Sequence, residues 1–229
     1  MPNGPSVQPR RFNRAIALLF MVGSACFAAA SAPGVSSAVS PAVVGGVFFL
    51  GSAFFTAAAY LQYVQSINNS ISADSSVGAP RRVRLLAWQP ALLGWWITIV
   101  QLVGTVFFNL NTAHALQQGL SVKQADLRVW TPDFLGSICF LLASWLAVME
   151  IRDGRRLGWG DVSWRIVMIN LAGSVLFMAS AIAAFVRPAT GDLAAATVAN
   201  TGTFLGALCF LWGARLLLDE LAQSGGATT

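Results

Sequence analysis

Charged residues are scarce in this sequence. Asp, Glu, Lys and Arg together make up 10% of its 229 residues, against roughly 25% in an ordinary soluble domain. A chain this poor in charge has too little polar surface to keep a soluble fold in water. It contains one histidine, His114, and three cysteines, Cys26, Cys139 and Cys209. A lone histidine gives no second ligand at metal-binding spacing, and the cysteines form neither a CxxC pair nor a disulfide framework. The chain also lacks a glycine-rich phosphate loop with its lysine, an HExxH motif, a serine or cysteine nucleophile beside a base, and paired carboxylates at membrane depth. These absences point away from an enzyme, and no cofactor or metal is expected.

Apolar residues are abundant. They make up 56% of the chain, with eight tryptophans and a mean hydropathy of +0.66. A spanning helix needs about 20 mostly apolar residues. Six segments meet that length, at about 14–32, 43–64, 91–112, 132–151, 165–186 and 199–219. The chain is therefore expected to be an all-α, six-transmembrane-helix bundle in contact with the lipid bilayer.

The net charge of +5 is placed as a topology signal, not as a nucleic-acid footprint. Arg10, Arg11 and Arg14 precede the first span, and Arg81, Arg82 and Arg84 precede the third. Arg152, Arg155, Arg156 and Arg165 surround the connector before the fifth, whereas the opposite connectors hold only Lys123, Arg128 and Arg187. Positive charge is retained on the cytoplasmic side. Both termini are expected to be cytoplasmic. The N-terminal run up to "ASA" resembles a secretory signal, but Pro33 follows directly and the apolar run is long enough to span, so it is read as a membrane helix.

One short phrase recurs. A glycine, then a small residue, then a phenylalanine four positions after the glycine occur once per span: Gly23 with Phe27, Gly51 with Phe55, Gly104 with Phe108, Gly136 with Phe140, Gly173 with Phe177, and Gly206 with Phe210. Spans two, four and six share the fuller "FLG" form. In the odd spans the position three before the glycine is Phe20, Gln101 or Asn170. The chain thus reads as three tandem two-helix hairpins in parallel orientation. A basic tail covers 1–13, hairpins cover 14–64, 91–151 and 165–220, a polar linker covers 65–90, a connector covers 152–164, and a tail covers 221–229. Lipid offers helices no hydrophobic reason to associate, so they need small residues for close approach and hydrogen bonds between them. The six motif glycines are accordingly assigned to helix packing, and the cysteines to small buried positions beside them.

Polar residues inside a membrane are costly and often functional. Gln101, Asn109, His114, Glu150 and Asn170 form a candidate polar path. Asn109, Asn111, Thr112 and His114 cluster near the outer face, while Gln65, Glu150 and Glu220 each lie fourteen residues past an even-span glycine, a spacing that could build a ring at the cytoplasmic mouth. Pairing at the helix ends competes with such a ring, as Arg215 four residues before Asp219 illustrates. The "GRRLGWGD" connector reads as an interfacial turn anchored by Trp159 and Trp164.

The phrases "WWITIVQLVGTVFFNLNT", "PDFLGSICFLLASWLAVMEI" and "ANTGTFLGALCFLWGARLLL" resemble those of YrhK-like bacterial membrane proteins, the longer actinobacterial type in particular, over roughly 14–220. That resemblance implies the fold and the location, and no catalytic residues. Two functions are then expected: a noncatalytic scaffold or accessory component, acting with a membrane-protein partner or as a homo-oligomer, or else a small-solute or ion transporter or channel.

Overall fold

The computed structural model describes residues 9–74, 83–152, 160–187 and 190–226. Arg81, Arg82, Arg155, Arg156 and Trp159 lie outside them. Six helices are long and apolar enough to cross a membrane: α1 (Pro9–Ser31), α3 (Pro41–Asp74), α4 (Leu93–Ala115), α6 (Thr131–Arg152), α7 (Val162–Ala183) and α8 (Ala196–Gly226). Two four-residue helices, α2 (Val35–Ala38) and α5 (Val122–Ala125), lie in the connectors.

Local chemistry sets the ends. Gly34 takes the left-handed conformation after α1, at φ 84°, and Pro41 opens α3 where its missing N–H costs nothing. Asp161 caps α7 by accepting from the Ser163 and Trp164 amides. After α7, the chain turns through Gly191, at φ 74°, and Val186 pairs with Leu193 in a single antiparallel bridge.

The six long helices form a closed ring. Each member of the pairs α1/α3, α4/α6 and α7/α8 packs against its hairpin partner, and α3 meets α4, α6 meets α7, and α8 returns to α1. The outer surface is apolar, with Leu142, Trp145 and Met149 of α6 and Leu205 and Trp212 of α8 exposed. Helices of this length and composition place those side chains against lipid.

Inside the ring the recurrent phrase explains the packing. Within each hairpin the two motif glycines face each other: a Cβ on Gly51 would stand 3.1 Å from the Gly23 carbonyl, one on Gly136 3.1 Å from that of Gly104, and one on Gly206 3.0 Å from that of Gly173. Each motif phenylalanine lies against the glycine of the opposite helix, as Phe55 does on Gly23 and Phe140 on Gly104. The cysteines take the same station, with Cβ atoms of Cys26, Cys139 and Cys209 against Gly51, Gly104 and Gly173. They are half-buried, a little more open than fully buried packing residues.

All six phenylalanines meet on the bundle axis. Phe27, Phe108 and Phe177 form one triangle, with ring centroids 6.4, 6.1 and 5.9 Å apart. Phe55, Phe140 and Phe210 form a second, at 6.1, 6.0 and 5.6 Å. The triangles stack through the hairpin pairs at 5.5, 5.1 and 5.2 Å. Edge and tilted contacts of this kind each add about 1 kcal/mol beyond simple burial.

Two sequence expectations need correction. α3 runs ten residues beyond its expected end at 64, because Tyr63, Val64 and Ile67 keep a buried face after the sequence has turned polar. Part of the expected linker is docked rather than free in water: the Tyr63 hydroxyl and the Trp95 indole both donate to the Ala87 carbonyl, each at 2.9 Å, and Trp96 donates to that of Pro90 at 2.9 Å. Trp95 itself is 4% exposed. The connector after α4 is largely helical. A capping box between Ser121 and Gln124 starts α5, which continues through a five-residue π-helix, Asp126–Trp130, into α6. The Trp130 indole holds it by donating to the Ala181 carbonyl at 2.8 Å.

Candidate functional site

On one side of the phenylalanine layer the ring encloses a cavity of about 220 Å³ to which all six long helices contribute. Its roof is formed by Phe20, Phe140 and Phe210, and its polar wall by Gln62, Gln101, Ser144 and Asn170. Two of the expected path residues, Gln101 of α4 and Asn170 of α7, are thus brought together. Phe20 of α1, at the matching position three before the glycine, faces the same space.

The polar wall is partly paired. Gln101 Nε2 donates to Gln62 Oε1 at 3.4 Å, and the hydroxyls of Ser144 and Ser174 share a bond of 2.8 Å. The Asn170 carboxamide has no partner among the described residues. It reaches the cavity through a notch in α8, where any Cβ on Gly213 would collide with it. Among the described residues no ionisable side chain lines the cavity.

A second cavity, of about 480 Å³, lies at the helix ends beside α3 and α4 and includes Gln65, Ser66, Asn69 and Glu150 in its wall. Gln62 and Ile97 belong to both cavities. They form the partition between this vestibule and the interior.

The three residues fourteen past the even-helix glycines do not face one another as a ring. Gln65 donates to Asn13, and Glu220 accepts from the Ser163 hydroxyl at 3.0 Å. Glu150 lies over Gly94, with Oε1 3.1 Å from where a Cβ would stand. Asn13, Gly94 and Ser163 each lie ten residues before an odd-helix glycine, so each contact occurs within its own hairpin at one register. Only Glu150 meets a glycine there, and its carboxylate has no hydrogen bond or ion pair among the described residues. The Arg215 and Asp219 pair forms as the spacing suggests.

Asn109 and His114 lie beyond the phenylalanine layer, toward the other end of α4. Asn109 Nδ2 donates to Thr56 Oγ1 at 2.7 Å, Asn111 Nδ2 donates to the Val129 carbonyl at 2.9 Å, and Thr112 shares a 2.9 Å hydroxyl bond with Ser52. This cluster joins α4 to α3 and to the π-helix. Asn109 Oδ1 and His114 Nδ1 are left buried without a partner among the described residues.

The sequence reading missed Gln62, Ser144 and Gly213. They lie eleven, eight and seven residues past Gly51, Gly136 and Gly206, and those intervals return a helix to the same face. The motif glycines therefore marked the inward stripe on which all three sit.

Among the described residues no group of His, Cys, Asp and Glu is placed to hold a metal ion. Compared with protein-family models, curated proteins and solved structures, the chain gives no significant match. The six apolar helices and their sealed interior identify a multi-pass membrane protein.

Proposed function

We propose that the protein is a noncatalytic scaffold or accessory component of a bacterial plasma membrane, built from three tandem hairpin repeats. One observation carries this reading: six phenylalanines, one from each long helix, fill the axis in two stacked triangles, so the bundle has no open passage there for a solute or ion. The glycine contacts repeated in each hairpin support the tandem arrangement, and the resemblance to YrhK-like proteins accords with a bundle that carries no chemistry. The arginine-rich connectors support a cytoplasmic location for both termini. Labelling of a cysteine introduced at Ser75 from outside the cell would contradict that orientation.

The reading is tested with the purified full-length protein in liposomes loaded with potassium chloride. The expected result is ion release no faster than from protein-free vesicles. Protein-dependent release would overturn the scaffold reading in favour of a channel.

A further inference from the structure

We propose that the interior cavity is a binding site for a small uncharged molecule with an amide-like or alcohol-like head and an apolar body. This goes beyond the scaffold reading and does not depend on it, since a sealed bundle can hold a ligand without passing it.

The argument begins with what the cavity offers. Carboxamides from three helices face it, and each atom has a defined capacity: Asn170 has two donors and an oxygen unpaired, Gln62 keeps its amide donors, and Gln101 keeps its oxygen. A carboxamide inside a membrane span is costly and often functional. The chain nevertheless makes room for Asn170 by placing a glycine at 213. Donors and acceptors are both present, so the complementary head must also carry both.

The remaining walls specify the body. Phe20, Phe140 and Phe210 close one end, while Ile16, Ile97 and Val167 form apolar sides. At about 220 Å³ the space is larger than several waters need, at roughly 30 Å³ each in the liquid. Charge is excluded for a separate reason. Among the described residues no Asp, Glu, Lys, Arg or His lines the cavity, and an ion placed there would be stripped of water with none of them to pair it. Glu150 and its neighbours lie outside, beyond Gln62 and Ile97.

The test compares three probes of one size and outline: benzamide, benzoate and protonated benzamidine. Binding to the full chain in phosphatidylcholine nanodiscs is followed by saturation-transfer NMR, with empty nanodiscs subtracted. Saturable binding of benzamide is expected, with both ions at least tenfold weaker. Asn170→Leu should weaken benzamide at least tenfold. Ala147→Phe, which fills the cavity while leaving all three carboxamides, should abolish binding, and it keeps the test decisive if Asn170→Leu does not fold. Equal binding of the three probes, undiminished benzamide binding in the Ala147→Phe protein, or no saturable binding at all would each overturn the proposal. Ion release from liposomes would overturn the scaffold reading alone.

Discussion

Replacing Gly206 with valine is expected to destabilise the bundle by about 3 kcal/mol and to lower its folded yield. A single Cβ at this position would lie 2.5 Å from the Phe177 ring and 3.0 Å from the Gly173 carbonyl. The carbonyl is backbone of a packed helix and cannot step aside. The Phe177 ring is itself pressed against Phe27, Phe108 and Phe210, so relief in one place creates a clash in another. Overpacking a core by a few carbons costs about 1–3 kcal/mol, and valine adds three carbons at the tightest of the six crossings, so a loss of about 3 kcal/mol is expected. In a native protein whose whole stability is about 5–15 kcal/mol, that is enough to reduce yield strongly. Gly46→Ala serves as the control, because nothing lies within 4 Å of a Cβ there. It should leave the thermal midpoint within a degree or two, whereas the Gly206→Val midpoint, if measurable, should fall by several degrees for each kcal/mol lost.

Phe140→Ala is expected to destabilise the bundle by about 3 kcal/mol without making it leak. In lipid the transfer part of the usual Phe→Ala cost is small, since a separated helix still buries its side chains in hydrocarbon. The cavity left behind is not relieved in that way, which places the loss near the lower end of the roughly 3–5 kcal/mol range. Phe140 touches Phe55, Phe108 and Phe210, and its removal enlarges the cavity it roofs. The triangle of Phe27, Phe108 and Phe177 remains above it. Steady-state denaturation in detergent should therefore show the loss, while ion release from liposomes should stay at the wild-type rate. Release from the single variant would show that one triangle, not two, seals the axis.

Both expectations rest on a phrase that is visible in the sequence. The spans were legible because each supplies about 20 apolar residues. The inward stripe was legible because a glycine, a small residue and a phenylalanine recur on one face of every span. The ring closure between α1 and α8 has no local signal, because it depends on the angle at which each hairpin meets the next. The extension of α3 to Asp74 was hidden for a different reason. Its last turns leave the apolar layer, so hydropathy falls while the helix continues on the strength of Ile67 and its neighbours.

The cavity was half legible. Gln101 and Asn170 were singled out because a carboxamide inside a span is expensive, and both face the space. Gln62 is equally polar, but it lies close to the end expected for its span, where a polar residue costs little and attracts no notice. The candidate ring at the mouth failed to form because the residues ten before each odd-helix glycine reach their opposite numbers first. Asn109 and His114 are divided from Gln101 by Phe108, two turns past Gln101 on the same helix. A linear list of polar residues cannot show which of them a packed ring will separate.

The most direct test of the whole account is a nuclear Overhauser measurement on the full chain in nanodiscs, with phenylalanine rings selectively labelled and the rest deuterated. Cross-peaks are expected between Phe27 and Phe177 and between Phe55 and Phe210, whose rings lie 6.1 and 6.0 Å apart across helices distant in sequence. Cross-peaks confined to the hairpin pairs, Phe27 with Phe55 and Phe177 with Phe210, would contradict the closed ring and its sealed axis.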